Sequence, residues 1–277
     1  MEITLGHTPD ADDAFMFFGI ASGNVKSGFS VKHVIEDIET LNRRALKHEL
    51  DITAVSAHAF AYLQDYVILK SGGSFGLNYG PIVITRKGNN NLTLERLRES
   101  LVAIPGKMTS ANLLLKLAIG NFNEKEMPFE SIPDAVESGK ADAGLVIHEA
   151  QITYDKAKFE AVIDLGKWWS ENTGGLPVPL GINVASTRKM SARQIEEFSD
   201  AFTRSVKYGL DNIDAAVEYA MRYARGQSKE TITKFVKMYV NNLTVDMGNE
   251  GKEAIERMFE IAKEKKIVDA DVAVKVV

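Results

Sequence analysis

His148 closes the apolar run Leu145-Val-Ile147 and is followed at once by Glu149. An imidazole at the carboxyl end of a buried strand is placed for proton transfer near neutral pH. Two readings stand level on position alone. With Glu149 orienting it, His148 is a general base; with its ring bonded to backbone, it is a strand-end cap. The other four histidines, His7, His33, His48 and His58, are scattered and form no close pair in sequence, which argues against zinc. His33 and His48 read as surface residues. His58 either lines a site or packs among its neighbouring alanines. The chain has no cysteine, so a thiolate nucleophile and a thiolate metal site are both excluded. Asp10, Asp12 and Asp13 offer clustered oxygens of the kind hard cations take, but no calcium-loop or phosphotransfer motif surrounds them. They read as helix caps and loop acceptors. Lys107 follows Pro105-Gly106 without the glycine spacing of a phosphate loop. No metal or cofactor is expected.

Three loops that run from a strand into a helix start are candidate binding segments: residues 6–13, 54–58 and 105–111. The start of a helix presents unpaired N–H groups and the positive end of its dipole, which suits a carboxylate or phosphate. In the third loop Thr109 and Ser110 add hydroxyls. Taken alone, the plainer reading of Thr109 or Ser110 as an N-cap is preferred. Trp168-Trp169 either cover an aromatic ligand or pin the chain segment that follows.

These loops need strands and helices to hold them. Short apolar strands at 3–5, 52–55, 81–85, 101–104, 143–147 and 182–185 alternate with helical patterns at 13–22, 39–50 and 110–119. Asp12 or Asp13 is the expected cap of the first of these helices. Strand–helix alternation predicts mostly parallel sheets flanked by helices. Two such blocks predict two lobes: residues 1–87 plus 187–277, and residues 88–186, with a ligand cleft between them. The polar stretch Lys87-Gly-Asn-Asn-Asn91 is the expected linker. From Ser191 onward the pattern is helical, opened by a capping box at Ser191-Ala-Arg-Gln194.

A net charge of −5 over 277 residues argues against a generic nucleic-acid or anionic-membrane surface, which would need a basic excess. No apolar run is long enough to span a bilayer. The longest near the start, Ala14 to Ala21, is preceded by three aspartates where a secretory leader carries basic residues. The expectation is a cytoplasmic protein that binds a small molecule; the sequence carries no signal for oligomeric state.

The segment Asp142-Ala-Gly-Leu-Val-Ile-His148-Glu149, with Thr153-Tyr154 after it, resembles the histidine motif of the 1,4-dihydroxy-6-naphthoate synthases of the futalosine route to menaquinone. The resemblance runs over nearly the whole chain. It takes in Glu36-Asp-Ile-Glu-Thr-Leu-Asn42, Ser71-Gly-Gly73, Gly80-Pro81, Pro105-Gly106, Trp168-Trp169, Gly175 to Gly181 and Tyr239-Val-Asn241. It implies a two-lobed, periplasmic-binding-protein-like (type II) α/β fold. It also implies a carbon–carbon lyase that converts cyclic dehypoxanthine futalosine to 1,4-dihydroxy-6-naphthoate without metal or redox cofactor. By position, the family's base falls on His148 and its substrate contacts on Ala54, Val55 and Ser56, on Thr109, Ser110 and Ala111, and on Asp13. The first loop departs from the family pattern, since Ala14 stands where a hydroxyl residue follows the last acid. Two other functions share this fold: capture of a small anion by a solute-binding protein, and chorismate dehydration. The absence of a leader argues against the first, and the histidine motif against the second.

Overall fold

The structure, a computed structural model, describes residues 1–89, 92–224, 226–268 and 271–277. In chain order the first elements are β1 (Glu2–His7), α1 (Ala11–Ala21), β2 (Ser30–Ile35), α2 (Ile38–Leu46), β3 (Ile52–Ser56), α3 (Ala57–Phe60), β4 (Tyr66–Ile68) and β5 (Ser74–Gly76). Then come β6 (Ile82–Arg86), β7 (Leu101–Ile104), α4 (Ser110–Ile119), β8 (Asn123–Glu126), α5 (Ile132–Glu137), β9 (Ala143–Val146), α6 (Ala150–Thr153), β10 (Phe159–Asp164) and α7 (Leu165–Asn172). The last are β11 (Val178–Ser186), α8 (Ala192–Asp211), α9 (Ile213–Ala220), α10 (Lys229–Tyr239), α11 (Asn242–Val245) and α12 (Gly248–Glu264). No helix among the described residues is long and apolar enough to cross a membrane.

The chain divides into two units. The first comprises Met1–Phe75, Pro179–Glu256 and Val272–Val277; the second comprises Gly76–Val178 and Arg257–Asp271. These bounds differ from the expected split near residues 87 and 187, and strand pairing is the reason. β6 pairs with β9 and β10, so it belongs to the second unit's sheet. β11 pairs with β3 and β4, so it belongs to the first. The stretch read as a linker starts as a turn after β6, with Asn89 N–H donating to the Arg86 carbonyl; residues 90–91 lie outside the described residues.

In the first unit the strand order is β2-β1-β3-β11-β4, with β5 also on β11. β1 runs parallel to β2 and β3, whereas β11 runs antiparallel to β3 and β4. In the second unit the order is β10-β6-β9-β7-β8; β7 is parallel to β8 and β9, and β6 is antiparallel to β9 and β10. Both sheets are therefore mixed, not mostly parallel. The parallel pairs are those joined through helical crossovers. β6 and β11 enter from the other unit's span of chain and need no crossover, so they run against their neighbours.

Burial follows from composition. β3 and β9 are covered along their whole length and read as unbroken apolar or small-residue runs. α1 is apolar almost all round, with nine of its residues buried. Such a helix needs cover on several sides, and the Phe17 ring stacks on Phe202 of α8 at 4.4 Å. The capping box at the start of α8 is present: Gln194 N–H donates to Ser191 Oγ, and Ser191 N–H donates to Gln194 Oε1. Asp51 joins β1 to β3, since its Oδ2 accepts from Thr4 N–H and Thr4 Oγ1 while its own N–H donates back to Thr4 Oγ1. The C-terminal residues lie along β4, with Ile68 N–H donating to the Lys275 carbonyl and Val277 N–H to the Ile68 carbonyl.

The Gly80-Pro81 motif has a steric role in the second unit. Leu165 N–H donates to the Pro81 carbonyl. This draws the start of α7 onto the backbone before β6, and a Cβ on Gly166 would stand 2.0 Å from the Tyr79 carbonyl carbon and 2.3 Å from Gly80 N. Backbone cannot yield as a side-chain tip can. Gly166→Ala should therefore destabilise the protein by about 1–3 kcal/mol, read as a lower midpoint in denaturant unfolding. An unchanged midpoint would show that the close approach is not there.

Candidate active site

Parallel pairing brings specific loops to one edge of each sheet. In the second unit Val102 pairs with Ala143 and Ala103 with Gly144, so β7 and β9 end together. The chain leaves β7 through residues 105–109 into α4, and leaves β9 directly into His148. The start of α4 and the histidine thus lie at the carboxyl ends of neighbouring parallel strands, where ligands bind in open α/β sheets. In the first unit Leu5 pairs with Ile52 and Gly6 with Thr53, which brings the β1–α1 loop and Ser56 to one edge in the same way.

His148 is half-buried, with backbone φ of +54°. This left-handed conformation is costly for a residue with a Cβ, and such strain collects at functional sites. The Phe129 ring stands edge-on to the imidazole, centroids 4.8 Å apart. The His148 carbonyl accepts from Gln151 N–H, which turns the chain into α6. Glu149 is buried and caps α6 by position, without a side-chain cap bond.

Thr109 is the N-cap of α4. Its Oγ1 accepts from Asn112 N–H at 3.2 Å and donates to the Gly106 carbonyl at 2.8 Å. The Asn112 amide donates to the Lys107 carbonyl, so the whole loop is braced against the helix. The Thr109 hydroxyl is thus committed to the protein. Ser110 and Ala111 form the first turn of α4, at the positive end of its dipole.

In the first unit α1 begins at Ala11 with Asp10 as its cap residue, two positions before the expected start; Asp10 makes no side-chain cap bond. Asp12 and Asp13 therefore fall within the first turn, where the helix dipole favours carboxylates. Asp13 Oδ2 accepts from both N–H and Oγ1 of Thr8 at 2.7 Å, closing the loop on itself. Asp12 Oδ2 accepts from Ser74 Oγ at 3.2 Å. No cluster of three or more potential metal ligands occurs among the described residues. Of Ala54, Val55 and Ser56, the first packs its methyl with Leu41 and Leu50 and the second is fully buried. Ser56 carries the polar side chain of that segment, and Asn42 of α2 holds it through two hydrogen bonds.

Several contacts were not foreseen. Asn42, Ser74 and Phe129 were not singled out. Asn42 lies in the Glu36–Asn42 segment that marks the family resemblance, which was its only signal. Trp169 is fully buried and donates Nε1–H to the Pro177 carbonyl, so it pins the approach to β11 rather than covering a ligand. His33 and His48 are half-buried, not surface residues; His48 stacks on Tyr66. The histidines do include a close pair, His7 and His33.

The two mixed sheets with flanking helices define a periplasmic-binding-protein fold. A Candida albicans protein described as exhibiting the generic periplasmic binding protein fold superposes with a TM-score of 0.72 at 13% identity, covering 100% of this chain and 98% of that one. A protein of Archaeoglobus fulgidus of known crystal structure is closer, with a TM-score of 0.90 and 44% identity over 96% of this chain and 98% of its own. A 1,4-dihydroxy-6-naphtoate synthase of Thermus thermophilus is 38% identical over 258 residues, 93% of this chain and 92% of the relative. The sequence pattern of the menaquinone biosynthesis family matches residues 3–264. The chain belongs to that family and is an enzyme of menaquinone biosynthesis.

The tautomers of the histidine pair follow from its partners. His7 Nδ1 lies 3.0 Å from the Thr8 carbonyl, which can only accept, so Nδ1 carries the proton. His7 Nε2 is then an acceptor for His33 Nδ1–H at 3.0 Å. Burial lowers the His33 pKa to about 4, with repulsion from His7 adding to it. Burial likewise lowers that of His7, against the opposing pull of its bond to Thr8 and of Asp10. Both rings stay neutral in the fold and take up a proton on unfolding once pH drops below the ordinary value of 6.5. The stability they contribute is whole above that pH and is lost as pH falls toward about 4. The melting temperature should fall across this window, and His33→Gln should flatten the slope. Equal slopes in the two proteins would contradict the neutral pair.

Proposed function

We propose that this enzyme is a carbon–carbon lyase that forms 1,4-dihydroxy-6-naphthoate from cyclic dehypoxanthine futalosine, with His148 as its general base. The observation that carries the reading is the placement of His148. It sits in a left-handed backbone at the end of β9, beside the β7–α4 loop, in a chain of the menaquinone biosynthesis family. The name of the Thermus relative supports the product.

In this reading the neutral imidazole takes the proton from a substrate hydroxyl. The electron pair of that O–H bond forms a carbonyl, the adjacent carbon–carbon bond breaks in a retro-aldol sense, and its electrons enter the new aromatic ring. The sugar-derived remnant leaves with the carbonyl. Electrons balance within the substrate, so the step calls for no oxidant. The Phe129 edge limits how the imidazole can turn, and the strained backbone fixes where it starts. The positive dipole end at the start of α4, at Thr109, Ser110 and Ala111, favours the substrate carboxylate. Ser56 and Asp13 contribute polar contacts, and Ala54 and Val55, themselves buried, hold the backbone that presents Ser56. The likeness to binding-protein structures at low identity speaks to fold and not to transport. A cytoplasmic location accords with a biosynthetic role.

His148→Asn keeps a polar side chain of similar reach but removes the base. It should lower kcat by about 10²–10⁴-fold with a much smaller change in KM, measured by product formation from the cyclic substrate. Turnover near that of the wild type would rule out His148 as the base.

A further inference from the structure

Asn42 lies in the middle of α2 and Ser56 at the end of β3, and both are buried, Asn42 fully. Ser56 N–H donates to Asn42 Oδ1 at 2.8 Å, and Asn42 Nδ2 donates to Ser56 Oγ at 3.1 Å. Asn42 Nδ2 also points at Glu39 Oε2, 3.5 Å away and one helical turn back. Glu39 is itself held by Arg43, whose guanidinium lies 3.3 Å from Oε1. The carboxylate can only accept, so it fixes which end of the Asn42 amide is the donor. The amide group cannot flip without setting its oxygen against Glu39.

The direction of the second bond decides what Ser56 can do. A serine hydroxyl carries one proton and two lone pairs. One lone pair is engaged by Asn42 Nδ2. Ser56 is the cap residue of α3 but makes no side-chain cap bond. Its O–H has no acceptor among the described residues, unlike the hydroxyl of Thr109, which donates to Gly106. We propose that Asn42 is a positioning residue: by donating to Ser56 Oγ it holds the serine hydroxyl as a hydrogen-bond donor for an oxygen acceptor of the substrate. Glu39 keeps the Asn42 amide in the required orientation. This rests on the lyase reading above and adds to it the direction of the Ser56 contact and the group that sets it.

Asn42→Asp tests the direction with nearly unchanged shape. The introduced carboxylate still accepts from Ser56 N–H, but its second oxygen now accepts from the Ser56 hydroxyl and turns that proton away from the substrate. KM for the cyclic substrate should rise about tenfold, the worth of one hydrogen bond to a neutral donor, with kcat changed by about twofold or less. Ser56→Ala should do the same. In the Ser56→Ala background, Asn42→Asp should add nothing, because its effect passes through the hydroxyl. A merely structural asparagine would cost as much in that background as in the wild type, and that result overturns the proposal. So does a wild-type KM for Asn42→Asp alone. If the carboxylate beside Glu39 prevents folding, Asn42→Ala removes both bonds without adding charge, and the same cycle is run with it. Absence of turnover by the wild-type enzyme would overturn the lyase reading itself, an outcome distinct from an additive cycle in an active enzyme.

Discussion

Parallel pairing of β1 with β3, and of β7 with β9, is the constraint from which the chemistry of this chain follows. Parallel neighbours end at the same edge of a sheet, and the loops leaving them must lie side by side. Each such loop runs into a helix start or a turn, so the edge collects unpaired N–H groups and the residues that satisfy them. His148 stands beside the start of α4 for this reason, and Ser56 stands beside the β1–α1 loop. Antiparallel strands would send successive loops to opposite edges. β6 and β11 do run antiparallel, and none of the candidate site residues lies on them.

Each edge is then made rigid by local bonds that need no substrate. Thr8 closes on Asp13, Thr109 closes on Gly106, and Asn112 braces Lys107. Loops left to themselves would pay conformational entropy when a ligand ordered them. Here much of that ordering is built into the fold. The strain at His148 belongs to the same economy, since a left-handed residue persists only where its surroundings hold it there.

What could be read from the sequence was what local pattern encodes. The buried run ending at His148, the capping box at Ser191 and the cap at Thr109 all depend on residues within four positions of one another, and all stand in the structure. Pairings across long stretches could not be read in this way. β6 lies within the span expected for the first lobe but pairs in the second sheet, with β9 some sixty residues on. The Asn42–Ser56 and His7–His33 bonds join residues 14 and 26 positions apart, and each depends on how helix and strand are brought together. The start of α1 was misplaced because three nearby aspartates are all acceptable caps, and the choice falls to packing of the apolar face. The family resemblance reached further than pattern, since it marked the Asn42 segment without saying what it does.

The two edges differ in the kind of group each can recognise. Asp10, Asp12, Asp13 and Glu39 are all buried in the first unit, close to the strand ends that carry Ser56 and the β1–α1 loop. Placing a carboxylate of the substrate there would set like charges together at low dielectric, which is costly. A neutral oxygen accepting from the Ser56 hydroxyl meets no such penalty. At the start of α4 the first-turn N–H groups supply positive potential, and α4 has no acid in its first turn. The dipole at the start of α4 thus favours an anionic group, and the acids buried in the first unit disfavour one. Ala14 is buried among the core residues of α1, where an apolar side chain packs without needing a polar partner.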